Sequence, residues 1–322
     1  MGEFELIARF FDRPVRRNPL GIGDDCALLQ PAPGMQLAVS TDLLVEGRHF
    51  LSTVDPRRLG HKALAVNLSD LAACGAQPLA FTLSLALPQV DAAWLGAFAQ
   101  GLFSLADAHG CELVGGDTTR GPLAINITVF GEVPAGQALL RSGARAGDEL
   151  WISGTLGDAR LALEAFRGTV SLPQEVFEAA RQRLEQPEPR VALGCALRGI
   201  ASAAIDISDG LAGDLAHVLR RSGVGASVAL AQAPQLLAAT RAGLRLDPQQ
   251  VEELVFAGGD DYELAFTAPA AQREAVLAAA QRTATPVTPI GRIEAAAGLR
   301  LLDAAGQPTQ RAFGGFDHFG AV

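Results

Sequence analysis

Apolar positions in the first half of the chain recur at two spacings, which alternate along the sequence. Asp55-Pro56 suits an N-cap followed by a first-turn proline, and the apolar positions behind it predict a helix over about 57–74. Asp91 and Gly110 bracket a second series at helical spacing, which predicts another helix. Short apolar or alternating stretches predict strands over 36–41, 111–116 and 123–133, with a turn over 117–122.

The second half repeats this alternation after a polar, glycine-containing connector over 141–148. Strands are predicted over 149–153, 201–207, 226–231, 262–268, 287–293 and 299–303. Helices are predicted over 155–166, 173–184, 211–221, 248–256 and 269–281. Strands and helices that alternate at these lengths indicate layered domains of the α/β (layered α+β) class. We place the domain boundary near 137, which predicts an N-terminal domain over 1–137 and a C-terminal α/β domain over 138–322.

The composition agrees with this picture and excludes some classes of binding partner. A chain of 322 residues suits two domains of ordinary size. Hydrophobic residues make up 49% and charged residues 19%, so there is ample apolar material for packed cores. The net charge of −9 argues against nucleic acid or an anionic membrane surface as a partner, because both are negatively charged themselves.

The cellular compartment is predicted from three further features. The first residues, MGEFELIARFF, carry acids where a signal peptide needs basic residues. No uninterrupted apolar run reaches the roughly 18 residues that a membrane helix needs. The four cysteines stand alone, without zinc-like spacing, which favours buried reduced thiols. We therefore expect a soluble, cytoplasmic protein.

The single lysine excludes two classes of nucleotide-binding protein. Lys62 lies in HKALAVN and does not follow a glycine-rich loop, so the chain has no P-loop. The VAIK, HRD and DFG motifs of protein kinases are missing as well. If the chain binds nucleotide phosphates, it does so through a different kind of binding site.

Aspartates recur where predicted strands meet loops, and glycines precede several of them. The motifs are GIGDD (21–25), AVSTD (38–42), LVGGD (113–117), IDISDG (205–210) and AGGDD (257–261). Each aspartate alone could be a turn former or a helix cap, and each glycine pair could be an ordinary turn. As a set, carboxylates that meet at strand ends would repel one another unless a hard cation neutralised them. Since lysine and histidine are scarce, we predict Mg²⁺ held by carboxylates and bridging to a polyphosphate.

Nine stretches, taken together, resemble one family. They are GEFELI (2–7), GIGDDCALL (21–29), STDLLVEGRHF (40–50), HKALAVNLSDLAACGAQP (61–78), GGDTTRGP (115–122), RSGARAGD (141–148), IDISDGL (205–211), GGDDYEL (258–264) and GGFDHF (314–319). They span nearly the whole chain and occur in the family's order. The chain resembles thiamine-monophosphate kinases, within the superfamily of aminoimidazole-ribotide synthetase-like ATP-dependent enzymes.

This resemblance implies a fold and an activity. It implies a two-domain aminoimidazole-ribotide synthetase-like fold and a homodimer in which the N-terminal domains pair their sheets into a barrel. The implied reaction is ATP-dependent phosphorylation of thiamine monophosphate to thiamine diphosphate, the last step of thiamine diphosphate biosynthesis. Several Mg²⁺ ions would assist a direct, in-line transfer, and no catalytic protein nucleophile is expected.

The resemblance also assigns residues to three kinds of contact. The positions that match metal ligands are Asp25, Thr41, Asp42, Asp70, Asp117, Asp206 and Asp209. The positions that match ATP contacts are Gly116, Asp117, Arg141 and Ser208, and those that match substrate contacts are His49, Asp260 and Phe316. From the residues alone, Arg141 could equally be a solvated connector residue, His49 a surface histidine and Phe316 a core aromatic. The family usually has Glu at position 260, so Asp260 retains the carboxylate on a side chain that is one methylene shorter, and a water bridge or an inward position of the loop would compensate.

Two alternatives remain at this point. One is another enzyme of the same superfamily, although the first 20 residues lack the Cys and Lys of selenophosphate synthetases. The other is a non-catalytic Mg-nucleotide sensor that kept the fold. The complete set of aspartates argues against a sensor, because a sensor has no need of metal positions on the acceptor side.

Overall fold

The computed structural model describes residues 2–316, and the chain divides into two compact units. Unit 1 comprises the residues up to Leu71 together with Ala76–Gly136. Unit 2 comprises Ala72–Gly75 together with the residues from Gln137 onward. No helix among the described residues is long and apolar enough to cross a membrane.

Unit 1 contains a four-stranded sheet with helices packed on one face. Its elements are α1 (Glu3–Phe10), β1 (Met35–Val45), α2 (Pro56–Ala73), β2 (Gln77–Leu87), α3 (Ala92–His109), β3 (Glu112–Arg120) and β4 (Ala124–Pro134). The strand order is β1-β4-β2-β3, in which β2 and β3 are parallel and the other neighbours antiparallel. Residues that are paired across the sheet share a face, so α2 and the apolar side chains of β2 and β4 bury one side. The other side is called the open face, and only part of it is covered, where Val15 and Ala27 pack against the buried cluster that contains Ala80.

Unit 2 is built around a six-stranded sheet. Its elements are β5 (Glu149–Ser153), α4 (Asp158–Phe166), α5 (Gln174–Glu185), α6 (Val191–Ala196), β6 (Ala203–Asp206), α7 (Leu211–Ser222), β7 (Gly225–Ala229), α8 (Ala233–Leu236), α9 (Ala238–Arg241), α10 (Pro248–Ala257), β8 (Leu264–Ala268), α11 (Arg273–Arg282), β9 (Val287–Glu294) and β10 (Gly298–Leu302). The strand order is β10-β7-β9-β5-β8-β6, with only β10 and β7 parallel. A continuous apolar core joins this sheet to α7 and α10.

The helix ends in unit 1 follow the predicted capping chemistry. Asp91 accepts hydrogen bonds from the backbone N–H groups of Ala93 and Trp94, at 2.8 and 3.1 Å, and begins α3. Gly110 ends that helix in the left-handed conformation, at φ 60°. The Asp55 carboxylate accepts from the N–H of Arg57 at 2.9 Å at the start of α2. The predicted helices in this unit are confirmed.

Several predicted strand boundaries are wrong. β1 continues to Val45 and β3 to Arg120, so Asp42 and Asp117 lie inside strands, and the predicted turn over 117–122 does not begin until Arg120 has passed. β2 corresponds to no predicted element. Of the five aspartate motifs, only IDISDG places its Asp, Asp206, at the last residue of a strand.

The aspartates of unit 1 also do not gather at one place in its sheet, because Asp42 lies on the edge strand β1 and Asp117 on the opposite edge strand β3. Among the described residues, most neighbouring strands are antiparallel. In unit 2 the antiparallel pair β6 and β8 nevertheless brings Asp206, at the end of β6, close to the AGGDD segment that precedes β8, because one strand ends where its antiparallel neighbour begins. The prediction of buried cysteines holds only for Cys111, since Cys26 is exposed and Cys74 and Cys195 are half-buried, although all four are free thiols.

Candidate active site

A pocket of about 650 Å³ in unit 1 brings three predicted site residues together. It lies between the start of α1, the loop over 22–27 and the strand β3. Asp25, Gly116 and Asp117 all line it, and so does Asp24, which carries no predicted role. The remaining wall is mixed in character, with Phe4 and Ile7 of α1 as apolar parts.

The loop that carries Asp25 is anchored from both ends. The Glu112 carboxylate accepts the backbone N–H groups of Arg16, Arg17 and Asn18 at 2.6, 3.0 and 3.1 Å. Burial by itself would raise the pKa of Glu112, but these N–H groups hold it below its usual value. On the other side Ala27 packs against the buried cluster around Val114, and Gly23 takes a φ of +126°. The turn therefore holds Asp24 and Asp25 out beside β3.

Gly116 has a packing reason to be glycine. It lies at φ +149°, and a Cβ placed on it would meet the carbonyl oxygen of Leu83 at 1.8 Å. At Gly115 a Cβ would come no closer than 3.9 Å to the Thr82 side chain. The missing Cβ at 116 thus serves the close approach of β2 and β3, whatever the pocket binds.

Asp42 and Asp70 form a second polar cluster on the face that α2 covers. The Ser40 hydroxyl donates to the Asp70 carboxylate, and the Asp42 backbone N–H donates to Asn67 Oδ1 at 3.1 Å. The prediction that Asn67 and Asp70 share one helix face is confirmed, because both reach β1 from α2.

Thr41 points to the opposite, open face of the same sheet. Its hydroxyl donates to the Ile127 carbonyl at 3.0 Å and accepts from Asn126 Nδ2 and Thr128 Oγ1 at 3.1 and 3.0 Å. One donor and two acceptor positions are all a hydroxyl has. A metal at this oxygen would have to replace one of those two donors.

The unit 1 sheet separates two of the predicted metal ligands, Asp42 and Asp117. Asp42 lies on the edge strand β1, and Gly116, the residue before Asp117, lies in the same cross-strand row on the opposite edge strand β3. Three inter-strand steps separate these two positions by roughly 14 Å. Within residues 2–316, no group of three or more His, Cys, Asp or Glu side chains is arranged to hold a metal ion.

His49 lies in the turn after β1. Its Nδ1 accepts the backbone N–H of Val45 at 3.0 Å. An accepting Nδ1 carries no proton, so in the neutral ring the proton is on Nε2. The ring therefore has a set orientation and is half-buried, unlike a freely solvated surface histidine.

In unit 2 the structure brings four predicted residues together. The Asp260 backbone N–H donates to the Ser208 carbonyl at 2.8 Å, and the Phe316 N–H donates to the Asp209 carbonyl at 2.9 Å. The GGDDYE and SDG loops therefore lie side by side, with the Phe316 segment against the second. The other end of the GGFDHF motif, 317–319, lies outside the described residues.

Asp214 is a residue of this corner that the sequence analysis missed. Its Oδ2 accepts the backbone N–H groups of Ser208 and Asp209 at 3.1 and 3.0 Å, from one turn inside α7. Burial is the main cause that raises the pKa of Asp214 to about 7, and the Asp209 charge adds to it although the two N–H groups oppose it. Asp209 does not cap α7, which begins after Gly210 without a side-chain cap. The sequence signal that could have identified Asp214 is its position as an acidic residue in the first turn of α7, four residues after Gly210.

The structure places Arg141 at the surface and Asp206 inside the protein. The Arg141 carbonyl accepts from the Ser222 hydroxyl at 3.2 Å, and that hydroxyl also accepts the Gly143 N–H, so the connector is docked at the end of α7 while the arginine is exposed. Asp206 is buried, at the end of β6 opposite Leu264.

Comparison with known proteins identifies the chain's relatives. The family model "AIR synthase related protein, N-terminal domain" matches residues 23–133, and "AIR synthase related protein, C-terminal domain" matches 145–303. A thiamine-monophosphate kinase from Salmonella typhimurium is 47% identical, over 99% of this chain and 98% of that protein.

Two solved structures agree with this result. The thiamine-monophosphate kinase from Stenotrophomonas maltophilia K279a is 44% identical and superposes with a TM-score of 0.83, covering 95% of this chain and 96% of that one. AaThiL complexed with AMPPCP and TMP is 29% identical, with a TM-score of 0.75 and coverage of 98% and 96%. The mixed α/β, two-domain AIR synthase-like fold is confirmed. On both sequence and fold, the chain belongs to the thiamine-monophosphate kinase family of AIR synthase-related proteins.

Proposed function

We propose that this chain catalyses ATP-dependent phosphorylation of thiamine monophosphate to thiamine diphosphate, the last step of thiamine diphosphate biosynthesis, and that it works in the cytoplasm. The observation that carries the proposal is similarity over 98% of the chain to a structure described as complexed with AMPPCP and TMP. AMPPCP is an ATP analogue, and TMP in a thiamine-monophosphate kinase is the phosphate acceptor. Both substrates of the reaction are thus represented in one relative.

The unit 1 pocket supports a nucleotide site. Its volume of about 650 Å³ lies in the range of ligand pockets, which are typically 300–1,000 Å³. The backbone at Gly115 and Gly116 is open to the pocket, and Phe4 and Ile7 offer apolar surface. We assign Gly116 and Asp117 to ATP, with the phosphates toward the carboxylates. Arg141 and Ser208 of unit 2 keep their predicted role as ATP contacts.

The donor chemistry of the pocket fits Mg²⁺. Asp25 and Asp117 present hard carboxylate oxygens, and Mg²⁺ is typically bound by one or two carboxylates, waters and substrate phosphates rather than by a full protein cage. The residues that would hold several Mg²⁺ ions between them are Asp25, Thr41, Asp42, Asp70, Asp117, Asp206 and Asp209. When bound, Mg²⁺ neutralises negative charge on the phosphates.

The chain's own residues then position the acceptor. Its attacking group is a phosphate oxygen, which is already ionised at neutral pH, so no general base and no protein nucleophile is needed for an in-line transfer. We assign the acceptor to His49, Asp260 and Phe316. The Val45 N–H sets the orientation of the His49 ring, and Phe316 presents an exposed ring for the aromatic part of the substrate.

The first prediction concerns the reaction itself. Purified protein with ATP, Mg²⁺ and thiamine monophosphate is expected to form thiamine diphosphate and ADP, and EDTA is expected to abolish turnover until Mg²⁺ is restored. Chromatographic detection of thiamine diphosphate measures it. Turnover only with a different phosphate acceptor would reassign the protein within its superfamily, and nucleotide binding with no turnover of any acceptor would favour the sensor.

We further propose that the protein is a homodimer that pairs two unit 1 sheets through their open faces into a barrel. The open face of β1 exposes Leu37, Val39 and Leu43 at 46, 60 and 52%. These three large apolar side chains share one face of the strand, with Thr41 between Val39 and Leu43, and form a patch that a second sheet would remove from water. Two copies of the same face make a self-complementary contact.

Val39→Glu is expected to convert the dimer into a monomer, because it places a charge at the centre of the apolar patch. Light scattering after size exclusion measures the change as a halved mass. Val90→Glu is the matched control, since Val90 is 49% exposed but lies outside the sheet, and it is expected to stay dimeric. A wild-type monomer, or a dimeric Val39→Glu variant, would contradict the barrel.

A further inference from the structure

The segment Gly258–Glu263 adopts a conformation that its residues do not favour. Asp260 lies at φ 66° and Tyr262 at φ 52°, both in the left-handed region. Residues other than glycine rarely adopt this region, and they keep it only where the surrounding structure enforces it. The segment therefore needs strong anchors on both sides of each strained residue.

Glu263 is the first anchor. It is 0% exposed, and its carboxylate accepts from Arg183 Nη2 at 2.6 Å and from Arg190 at 2.6 and 2.7 Å. The Ser153 hydroxyl donates to the same group at 2.5 Å. A buried carboxylate held by two guanidinium groups and a hydroxyl has little freedom to move.

Asp261 is the second anchor. It is buried, and both of its carboxylate oxygens accept the Gly157 N–H at 3.0 Å. Burial raises its pKa well above the ordinary value, with the charges of Asp158 and Glu263 adding to the effect. Asp261 and Glu263 are thus both anchored inside the protein, directly after Asp260 and on either side of Tyr262.

The backbone completes the arrangement. The Asp260 and Tyr262 N–H groups donate to the Ser208 and Ile207 carbonyls, each at 2.8 Å. A Cβ on Gly259 would lie 2.4 Å from the Ser208 carbonyl oxygen, so the glycine lets the two loops approach. The strained residues are therefore fixed against the SDG loop.

This arrangement brings the two strained side chains into contact. The Tyr262 phenol donates to Asp260 Oδ1 at 3.0 Å. Tyr262 is 9% exposed and Asp260 is half-buried, so the phenol supports the carboxylate from the protein side. A charge-assisted hydrogen bond fixes a short side chain that would otherwise rotate about two torsions.

We propose that Tyr262 is a positioning residue, which aims the Asp260 carboxylate at a hydrogen-bond donor on the nitrogen heterocycle of the phosphate acceptor. This inference rests on the proposed function, because Asp260 is assigned to the acceptor there. The strained segment sets the carboxylate before the acceptor arrives, so less ordering is needed on binding.

Tyr262→Phe removes only the phenolic oxygen. It is expected to raise KM for thiamine monophosphate about tenfold, which corresponds to one hydrogen bond to a charged group, and to leave KM for ATP within twofold. In an Asp260→Asn background the same substitution is expected to change KM for the acceptor less than twofold, because the carboxylate that Tyr262 positions is no longer present. An unchanged acceptor KM, an equal rise for ATP, or full additivity with Asp260→Asn would overturn the inference.

A second measurement needs no substitution at the tyrosine. Tyr262 is the only tyrosine in the chain, so 3-fluorotyrosine labels this site alone. Thiamine monophosphate is expected to shift the single ¹⁹F resonance in the wild type and not in Asp260→Asn, and AMPPCP alone is expected to leave it in place. No shift at saturating acceptor would overturn the inference even if Tyr262→Phe failed to fold. Absence of turnover by the wild type would instead count against the proposed function, so the two failures are distinguishable.

Discussion

Asp117→Asn is expected to lower kcat on the order of 100-fold or more while the fold stays intact. Phosphoryl transfer depends on neutralising charge on the phosphates, and loss of one electrostatic partner in such a site costs on the order of 10²–10³ in rate. Asp117 is exposed and lines the unit 1 pocket, so its replacement by asparagine breaks no buried contact and is not expected to destabilise the fold. Steady-state kinetics, with circular dichroism and thermal unfolding alongside, measure the effect.

The same pocket supplies a pair of matched variants. Asp25→Asn is expected to behave like Asp117→Asn, whereas Asp24→Asn, one residue away in the same exposed loop, is expected to change kcat less than tenfold. Raising the Mg²⁺ concentration is expected to recover part of the lost activity if the carboxylates hold the metal. Wild-type turnover by Asp117→Asn would contradict its role, and equal losses at positions 24 and 25 would show a general charge effect of the loop instead.

Gly116→Ala is expected to destabilise the protein by about 3 kcal/mol or more. The new methyl group would sit 1.8 Å from the Leu83 carbonyl oxygen, at a φ of +149° that alanine disfavours. Overpacking and backbone strain each cost about 1–3 kcal/mol, and here neither β2 nor β3 can retreat without losing hydrogen bonds of the sheet. Thermal unfolding would show a Tm roughly 6–12 °C lower.

Gly115→Ala separates this packing effect from ligand binding. A Cβ at position 115 meets nothing closer than 3.9 Å, so the variant is expected to keep the wild-type Tm within about 2 °C. Its methyl group would enter the pocket and is expected to raise KM for ATP. A Gly116→Ala variant with unchanged Tm would show that the strands can shift, and the glycine would then be explained by ATP alone.

The helices of unit 1 were predictable because their signals are local. Asp91 and Gly110 define α3 from either end, and the capping hydrogen bonds involve only neighbours in sequence. β2 also carries a local signal, since buried Phe81, Leu83 and Leu85 alternate with half-exposed Thr82 and Ser84. The stretch is so apolar overall that its period is easily overlooked.

The grouping of the site residues was harder to predict from the sequence. The aspartates were expected to meet at strand ends, whereas the strand order puts Asp42 and Asp117 on the two opposite edge strands of one sheet. Asp214 was not singled out and Tyr262 was given no role, because their importance comes from contacts with Asp209 and Asp260. The individual roles of the site residues, and the dimer, stay predictions.

The sequence by itself determined the family, since nine motifs in order need no coordinates to be matched. It also determined most helices and the oxygen-rich, lysine-poor chemistry of the site. Only the tertiary structure decided that Gly116 is required by packing, that Thr41 and Asp42 face opposite sides of a sheet, and that buried Asp261 and Glu263 hold Asp260 in a strained turn. Motifs and helix caps involve residues that are neighbours in sequence, whereas strand order, register and buried hydrogen bonds join residues as far apart as Ser153 and Glu263.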